Sequence, residues 1–196
     1  MLNFATIEQL VQQSKRPLRD GTLERLAAGE PYRRFLYWFV REQKPEVALE
    51  LGIDNGNTSA LMAAGHLGTL VIGVDHRGLS KTAPAFRYSN FQLLFCDSLG
   101  AVPAVKERIG RRKLGLVFQD SSHHAEPSRL EWQYYQPLLA QHFCWVCDDI
   151  LPVFRMPDEP RSMVDYFDAL PGRKRLFTGL HMGSMIGVVL PDREVP

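Results

Sequence analysis

Apolar and polar positions change their rhythm once along this chain. Up to about residue 45 they recur with a helical period. Thr6 to Lys15 and Thr22 to Leu26 predict short helices, the first stopped before Pro17. Pro31 opens a longer one, because proline is favoured at the first helical position. Its apolar positions Tyr32, Phe35, Leu36, Phe39 and Val40 form the stripe of an amphipathic helix running to about Gln43, and Pro45 closes it. This helix is expected to pack on a sheet or roof a site beside it.

From Val47 on, short apolar runs alternate with helical stretches. The runs are Val47–Leu51, Thr69–Val74, Phe91–Phe95, Leu114–Phe118 and Phe143–Cys147. The intervening helices are expected at Thr58–Ala64, Ala101–Ile109 and Pro127–Ala140. Continuous apolar strands separated by helices mean a parallel sheet covered on both faces. Three prolines mark Leu151–Arg161 as a loop and a candidate lid. Ser162–Leu170 predicts a last helix, and Arg175–Thr178 and Met185–Leu190 a closing pair of strands. Within 196 residues this is one α/β domain, with residues 1–45 as a helical segment and 46–196 as the core.

Composition narrows the function classes. The formal net charge is +1, which gives no field toward nucleic acid or an anionic membrane. The short basic runs Gly110–Lys113 and Gly172–Arg175 fall where a helix ends or a turn begins, and cations there suit the helix dipole. No stretch has roughly 18 consecutive apolar residues, and the N-terminus lacks a signal-peptide pattern. The expectation is a soluble, cytoplasmic protein, compatible with a homo-oligomer. Cysteines are Cys96, Cys144 and Cys147. Cys144 and Cys147 form a C-x-x-C inside a strand, where residues three apart point to opposite faces, so a shared metal or disulfide is not expected.

Candidate chemistry gathers at strand ends. The first strand runs into Glu50-Leu51-Gly52-Ile53-Asp54-Asn55-Gly56-Asn57-Thr58, an E-x-G-x-x-x-G turn. Gly52 and Gly56 let the backbone turn sharply and approach a ligand. Asn57 or Thr58 can cap the helix that follows. Asp75, with His76 beside it, ends the second strand, where a carboxylate can accept from both hydroxyls of a ribose. Asp97 and Ser98 follow the third strand, where they can hold an adenine amino group. All three features face the carboxyl edge of the sheet, where open α/β folds bind ligands. A dinucleotide site reads G-x-G-x-x-G; here Asp54 stands where the second glycine belongs and would repel a pyrophosphate. That counts against an NAD-dependent oxidoreductase. S-adenosylmethionine carries no phosphate and has a sulfonium cation, which suits an acidic turn.

On the E-x-G-x-x-x-G turn and Asp75, the chain resembles the class I S-adenosylmethionine-dependent methyltransferases over roughly Val47–Ile150. The resemblance implies a doubly wound, mostly parallel, seven-stranded Rossmann-like sheet with one antiparallel strand near the C-terminus. It also implies cofactor contacts from Glu50, Gly52, Asp54, Asn55, Gly56, Thr58, Asp75, His76, Asp97, Ser98 and Asp120.

Strand four ends in Gln119-Asp120-Ser121-Ser122-His123-His124, and strand five in Asp148-Asp149. In the usual doubly wound order these strands are neighbours, so three carboxylates crowd one place. Arg129 and Arg155 are the nearest cations in sequence. Crowded carboxylates share protons or a cation, and oxygen ligands select Mg²⁺, Ca²⁺ or Mn²⁺. The constellation is similar to the cephalosporin-hydroxylase-like and catechol O-methyltransferase-like branch, which implies Asp120, Asp148 and Asp149 as metal ligands. Asp-Ser-Ser-His-His is similar to the Asp-x-x-His of the former group. The catechol type has Asp-Asn where this chain has Asp148-Asp149. His124 is the expected general base, with Asp120 beside it. Trp132, Tyr134 and Tyr135 read as core, while His181 and Met182 are placed at the pocket edge. The implied reaction is methyl transfer to an oxygen of a small molecule; a non-catalytic S-adenosylmethionine-binding protein is the alternative.

Overall fold

The computed structural model describes residues 2–150, 162–181 and 184–192. Three helices lead: α1 (Phe4–Ser14), α2 (Gly21–Ala27) and α3 (Pro31–Gln43). The core then alternates as β1 (Val47–Leu51), α4 (Asn57–Gly65), β2 (Leu70–Asp75), β3 (Phe91–Phe95), α5 (Val102–Ile109), β4 (Leu114–Gln119), α6 (Ala125–Tyr135) and β5 (Leu139–Cys147). After α7 (Ser162–Ala169) come β6 (Arg173–His181) and β7 (Ser184–Leu190). The expected lid, Leu151–Arg161, and Met182 lie outside the described residues.

The seven strands form one sheet in the order β3-β2-β1-β4-β5-β7-β6. Strands β1 to β5 pair in parallel, and β7 runs antiparallel to both β5 and β6. The strand order reverses between β1 and β4, so the crevice for a ligand opens above these two.

Each face carries its own apolar layer. Ala48, Val71, Phe118, Cys144 and Val146 face α1, α3 and α4, and all five stripe residues of α3 are buried among them. Leu49, Ile72, Val117, Trp145 and Cys147 face α5, α6 and α7. Cys144 and Cys147 are therefore buried on opposite faces as free thiols, as the strand period requires. Among the described residues, no helix is long and apolar enough to cross a membrane.

Two local expectations are corrected. The helix expected over Pro127–Ala140 stops at Tyr135, and one 3₁₀ turn, Gln136–Leu138, leads straight into β5. Pro137 has no N–H to continue the helix, so Leu139–Gln141 become strand instead. Of the three aromatics on α6, Trp132 and Tyr135 are core, but Tyr134 is exposed. The basic run after α5 behaves as expected: Arg112 donates to the carbonyls of Arg108 and Ile109, which the helix end leaves open.

Candidate active site

The glycine turn is built by strand pairing that overruns β1. The Gly52 amide donates to Val74 O at 2.9 Å, and the Asp120 amide to Leu51 O at 2.8 Å. Gly52 has φ +86°, and a β-carbon there would lie 2.0 Å from the Asp120 carbonyl oxygen. Only glycine fits. Gly56 occupies the cap position of α4 at φ +81° and has no side chain to cap with. Neither Asn57 nor Thr58 caps the helix: Asn57 is its first residue and Thr58 is buried in it. The Asn57 amide is satisfied by Asn55 Oδ1 at 3.0 Å.

Asp75 ties this turn down. Its Oδ2 accepts from the amides of Ile53 (2.9 Å) and Asp54 (3.3 Å), and its Oδ1 from Arg77 (2.7 Å). Burial pushes the carboxyl up, but the three amide donors outweigh it, and Asp75 stays ionised below its ordinary range. Three of its roughly four lone-pair sites are used, leaving room for a ligand donor.

A cavity of about 600 Å³ opens over these strand ends. Gly52 and Asp54 line it from β1, and Asp75, His76 and Arg77 from β2. Cys96, Asp97 and Ser98 line it from β3, and Asp120 to His124 from β4. Glu50, Asn55, Gly56 and Thr58 are not part of its wall. Glu50 lies beneath, buried, with the Ser59 hydroxyl donating to its Oε2. Burial pushes its carboxyl well above the ordinary range and favours its protonated form.

The three aspartates meet at the ends of β4 and β5, and among the described residues two histidines pair with them. His123 Nε2 lies 2.9 Å from Asp120 Oδ1 and its Nδ1 lies 3.1 Å from Asp149 Oδ2. His181, from the end of β6, places Nδ1 at 3.0 Å from Asp148 Oδ1. Arg129 instead pairs with Glu126. Burial, and then the Asp148 charge against the pull of His123, push Asp120 up to about 7. The hydrogen bond with Asp120 raises His123, and that with Asp148 raises His181 to about 9. His124, the expected base, precedes α6 and lines the cavity. Counted from Asp120, however, Asp-x-x-His ends on His123.

Beneath this centre lies a network with no sequence motif. Gln119 donates to Glu131 Oε2 (2.7 Å) and Ser128 O (3.1 Å), and its Oε1 accepts from Tyr166 (2.8 Å) and Trp145 (3.1 Å). Ser121 also donates to Glu131, which reaches the cavity wall.

No family model matches the chain, and no curated protein matches it in sequence. Solved structures do match in shape. An O-methyltransferase from Bacillus cereus, in complex with SAH, superposes with a TM-score of 0.62 at 15% identity, over 97% of this chain and 92% of the other. The fold is that of the class I methyltransferases. A tomaymycin-synthesis O-methyltransferase from Streptomyces achromogenes, in complex with SAM, gives 0.65 at 14% identity, over 93% and 89%. A TDP-rhamnose 3'-O-methyltransferase of calicheamicin biosynthesis gives 0.60 at 18%, over 94% and 91%. At these identities the shared property is the methyltransferase fold, including its seven-stranded sheet.

The residues fit the two groups that the sequence resemblance implies. For S-adenosylmethionine, the open cradle at Gly52 and the anchored Asp75 share one cavity wall with Asp97. For a divalent ion, two sets of donors each converge within 4.8 Å: Asp120, His123 and Asp148, and Asp148, Asp149 and His181. Asp149 Oδ1 is buried without a hydrogen-bond partner, as a ligand oxygen awaiting a cation would be.

Proposed function

We propose that this protein transfers a methyl group from S-adenosylmethionine to an oxygen of a small molecule. The observation that carries this reading is the adjacency, on one sheet edge, of the Gly52–Asp75 cradle and the Asp120/His123 pair. The bound cofactor supplies a methyl group already activated on a sulfonium. What the chain must add is alignment and a place for the acceptor's proton.

In this reading Gly52 and Asp54 give the cofactor close approach to the backbone, Asp75 and His76 face its ribose, and Asp97 and Ser98 its base. The Asp54 carboxylate complements a cation and disfavours a pyrophosphate, which argues for this cofactor over a dinucleotide. Asp120, Asp148 and Asp149 would hold a divalent ion, which supplies a Lewis acid that lowers the acceptor hydroxyl's pKa. We assign the acceptor's proton to His123 rather than His124: Asp120 orients its imidazole through Nε2, and Nδ1, which faces Asp149, would take the proton with Asp149 bound to the ion.

Calorimetric titration tests the reading. S-adenosylmethionine and its demethylated product are expected to bind with micromolar affinity and NAD not to bind. Heat from NAD alone, or from none of the three at millimolar concentration, overturns it.

A further inference from the structure

The carboxylates that end β5 are met by a side chain from a strand that the sequence places far away. His181 is 33 residues from Asp148, yet its Nδ1 lies 3.0 Å from Asp148 Oδ1 and 3.6 Å from Asp149 Oδ1. Asp148 is only 2% exposed, and Asp149 Oδ1 has no hydrogen-bond donor. One imidazole nitrogen and two carboxylate oxygens thus converge within 4.8 Å of one another. The ring of Tyr32 on α3 packs against the imidazole, centroid to centroid 5.1 Å. Tyr32 is itself buried and packs on Phe118 of β4. The imidazole is therefore packed by α3 as well as carried by β6.

Ligand type decides which ion such a centre takes. Carboxylates alone suit Mg²⁺, Ca²⁺ or Mn²⁺, whereas imidazole nitrogen suits later first-row ions. Mg²⁺ also dehydrates reluctantly and is seldom held by several protein ligands at once. We propose that His181 is a nitrogen ligand of a divalent ion held with Asp148 and Asp149, and that it turns this centre toward a late first-row ion such as Co²⁺ or Zn²⁺ and away from Mg²⁺. The inference rests on the proposed function for the place of the ion and is independent of whether the cofactor binds.

The test uses the full chain freed of metal by chelation. Co²⁺ and Mg²⁺ are titrated by calorimetry, the visible bands of bound Co²⁺ are recorded, and S-adenosylmethionine is titrated in a separate cell. Co²⁺ is expected to bind at least about a hundredfold more tightly than Mg²⁺. His181→Gln keeps a hydrogen-bond donor for Asp148, and His181→Ala removes it; melting curves without metal establish that each is folded. Both variants are expected to lose at least about tenfold in Co²⁺ affinity with shifted visible bands, while Mg²⁺ affinity moves by less than about threefold. Unchanged Co²⁺ affinity and bands in the folded variants overturn the proposal. So does a parallel loss for both ions, which would make His181 only a support for Asp148, and so does a wild-type chain that binds no Co²⁺. S-adenosylmethionine binding without Co²⁺ removes this inference and leaves the proposed function; Co²⁺ binding without S-adenosylmethionine does the reverse.

Discussion

Gly52 and Asp120 are packed backbone against backbone: a β-carbon on Gly52 would fall 2.0 Å from the Asp120 carbonyl oxygen. This contact joins the glycine turn to the acidic centre. Gly52→Ala must push β4 away from β1 and also adopt φ +86°. A loss of about 3 kcal/mol or more is expected, read as a shifted urea midpoint. S-adenosylmethionine affinity is expected to fall in the same variant even at temperatures where it is folded.

Asp75 holds the other side of that turn through the amides of Ile53 and Asp54. Asp75→Ala removes both anchors and the carboxylate assigned to the ribose. Hydrogen bonds to a charged group are worth about 1.5–3 kcal/mol, so calorimetry should show S-adenosylmethionine affinity falling by about tenfold to a hundredfold. Unchanged affinity would remove Asp75 from the cofactor site.

The two adjacent histidines can be separated by kinetics. With an acceptor that supports turnover, His123→Ala is expected to lower kcat by about a hundredfold or more and leave S-adenosylmethionine binding intact. His124→Ala is expected to cost less than about fivefold, since Asp120 orients its neighbour instead. The opposite ranking would return the proton to His124.

What could be read from the sequence followed from local rules. The parallel strands are unbroken apolar runs, so β1 and β3 are found to the residue, and the ends of β1 to β5 bring the expected aspartates to one edge. The sequence carries α6 too far because Leu138 to Ala140 is as apolar as a helix face, whereas Pro137 stops the helix first. The choice between His123 and His124 turns on a dihedral angle: His123 adopts φ 53°, which swings its ring back toward Asp120. Residue type does not announce a left-handed histidine. The sequence places His181 at the pocket edge, but its pairing with Asp148 is not legible there, since only the β5-β7-β6 strand order brings the two together.

Gln119 shows a buried polar group that no motif marks. All its hydrogen-bonding capacity is used, by Glu131, Ser128, Trp145 and Tyr166. Gln119→Leu fills a similar volume but strands those four partners in the core. The expected loss is about 2–5 kcal/mol by urea unfolding. A change under about 1 kcal/mol would mean that the partners pair among themselves.

Two glutamates make opposite demands on pH. The Arg34 guanidinium bonded to Glu24 holds that carboxyl below its ordinary value of 4.5. The pair contributes stability above this value, and the contribution is lost as pH falls through the folded pKa. Burial does the reverse to Glu50, whose carboxyl lies well above 4.5. Folding favours its protonated form, so its contribution is greatest below 4.5 and declines as pH rises toward the folded pKa. Glu50→Gln keeps an oxygen for the Ser59 hydroxyl and cannot ionise. Its melting temperature is expected to match wild type near pH 4.5 and to exceed it by about 2–4 °C at pH 8, the effect of about 1 kcal/mol in a domain of this length. Glu24→Gln is expected to lower the melting temperature at pH 8 and to converge on wild type as the pH drops below 4.5. A Glu50→Gln curve parallel to wild type across this range would show that Glu50 is ionised in the fold, and Asp120, Asp75 and Glu50 would then need a cation beyond those described.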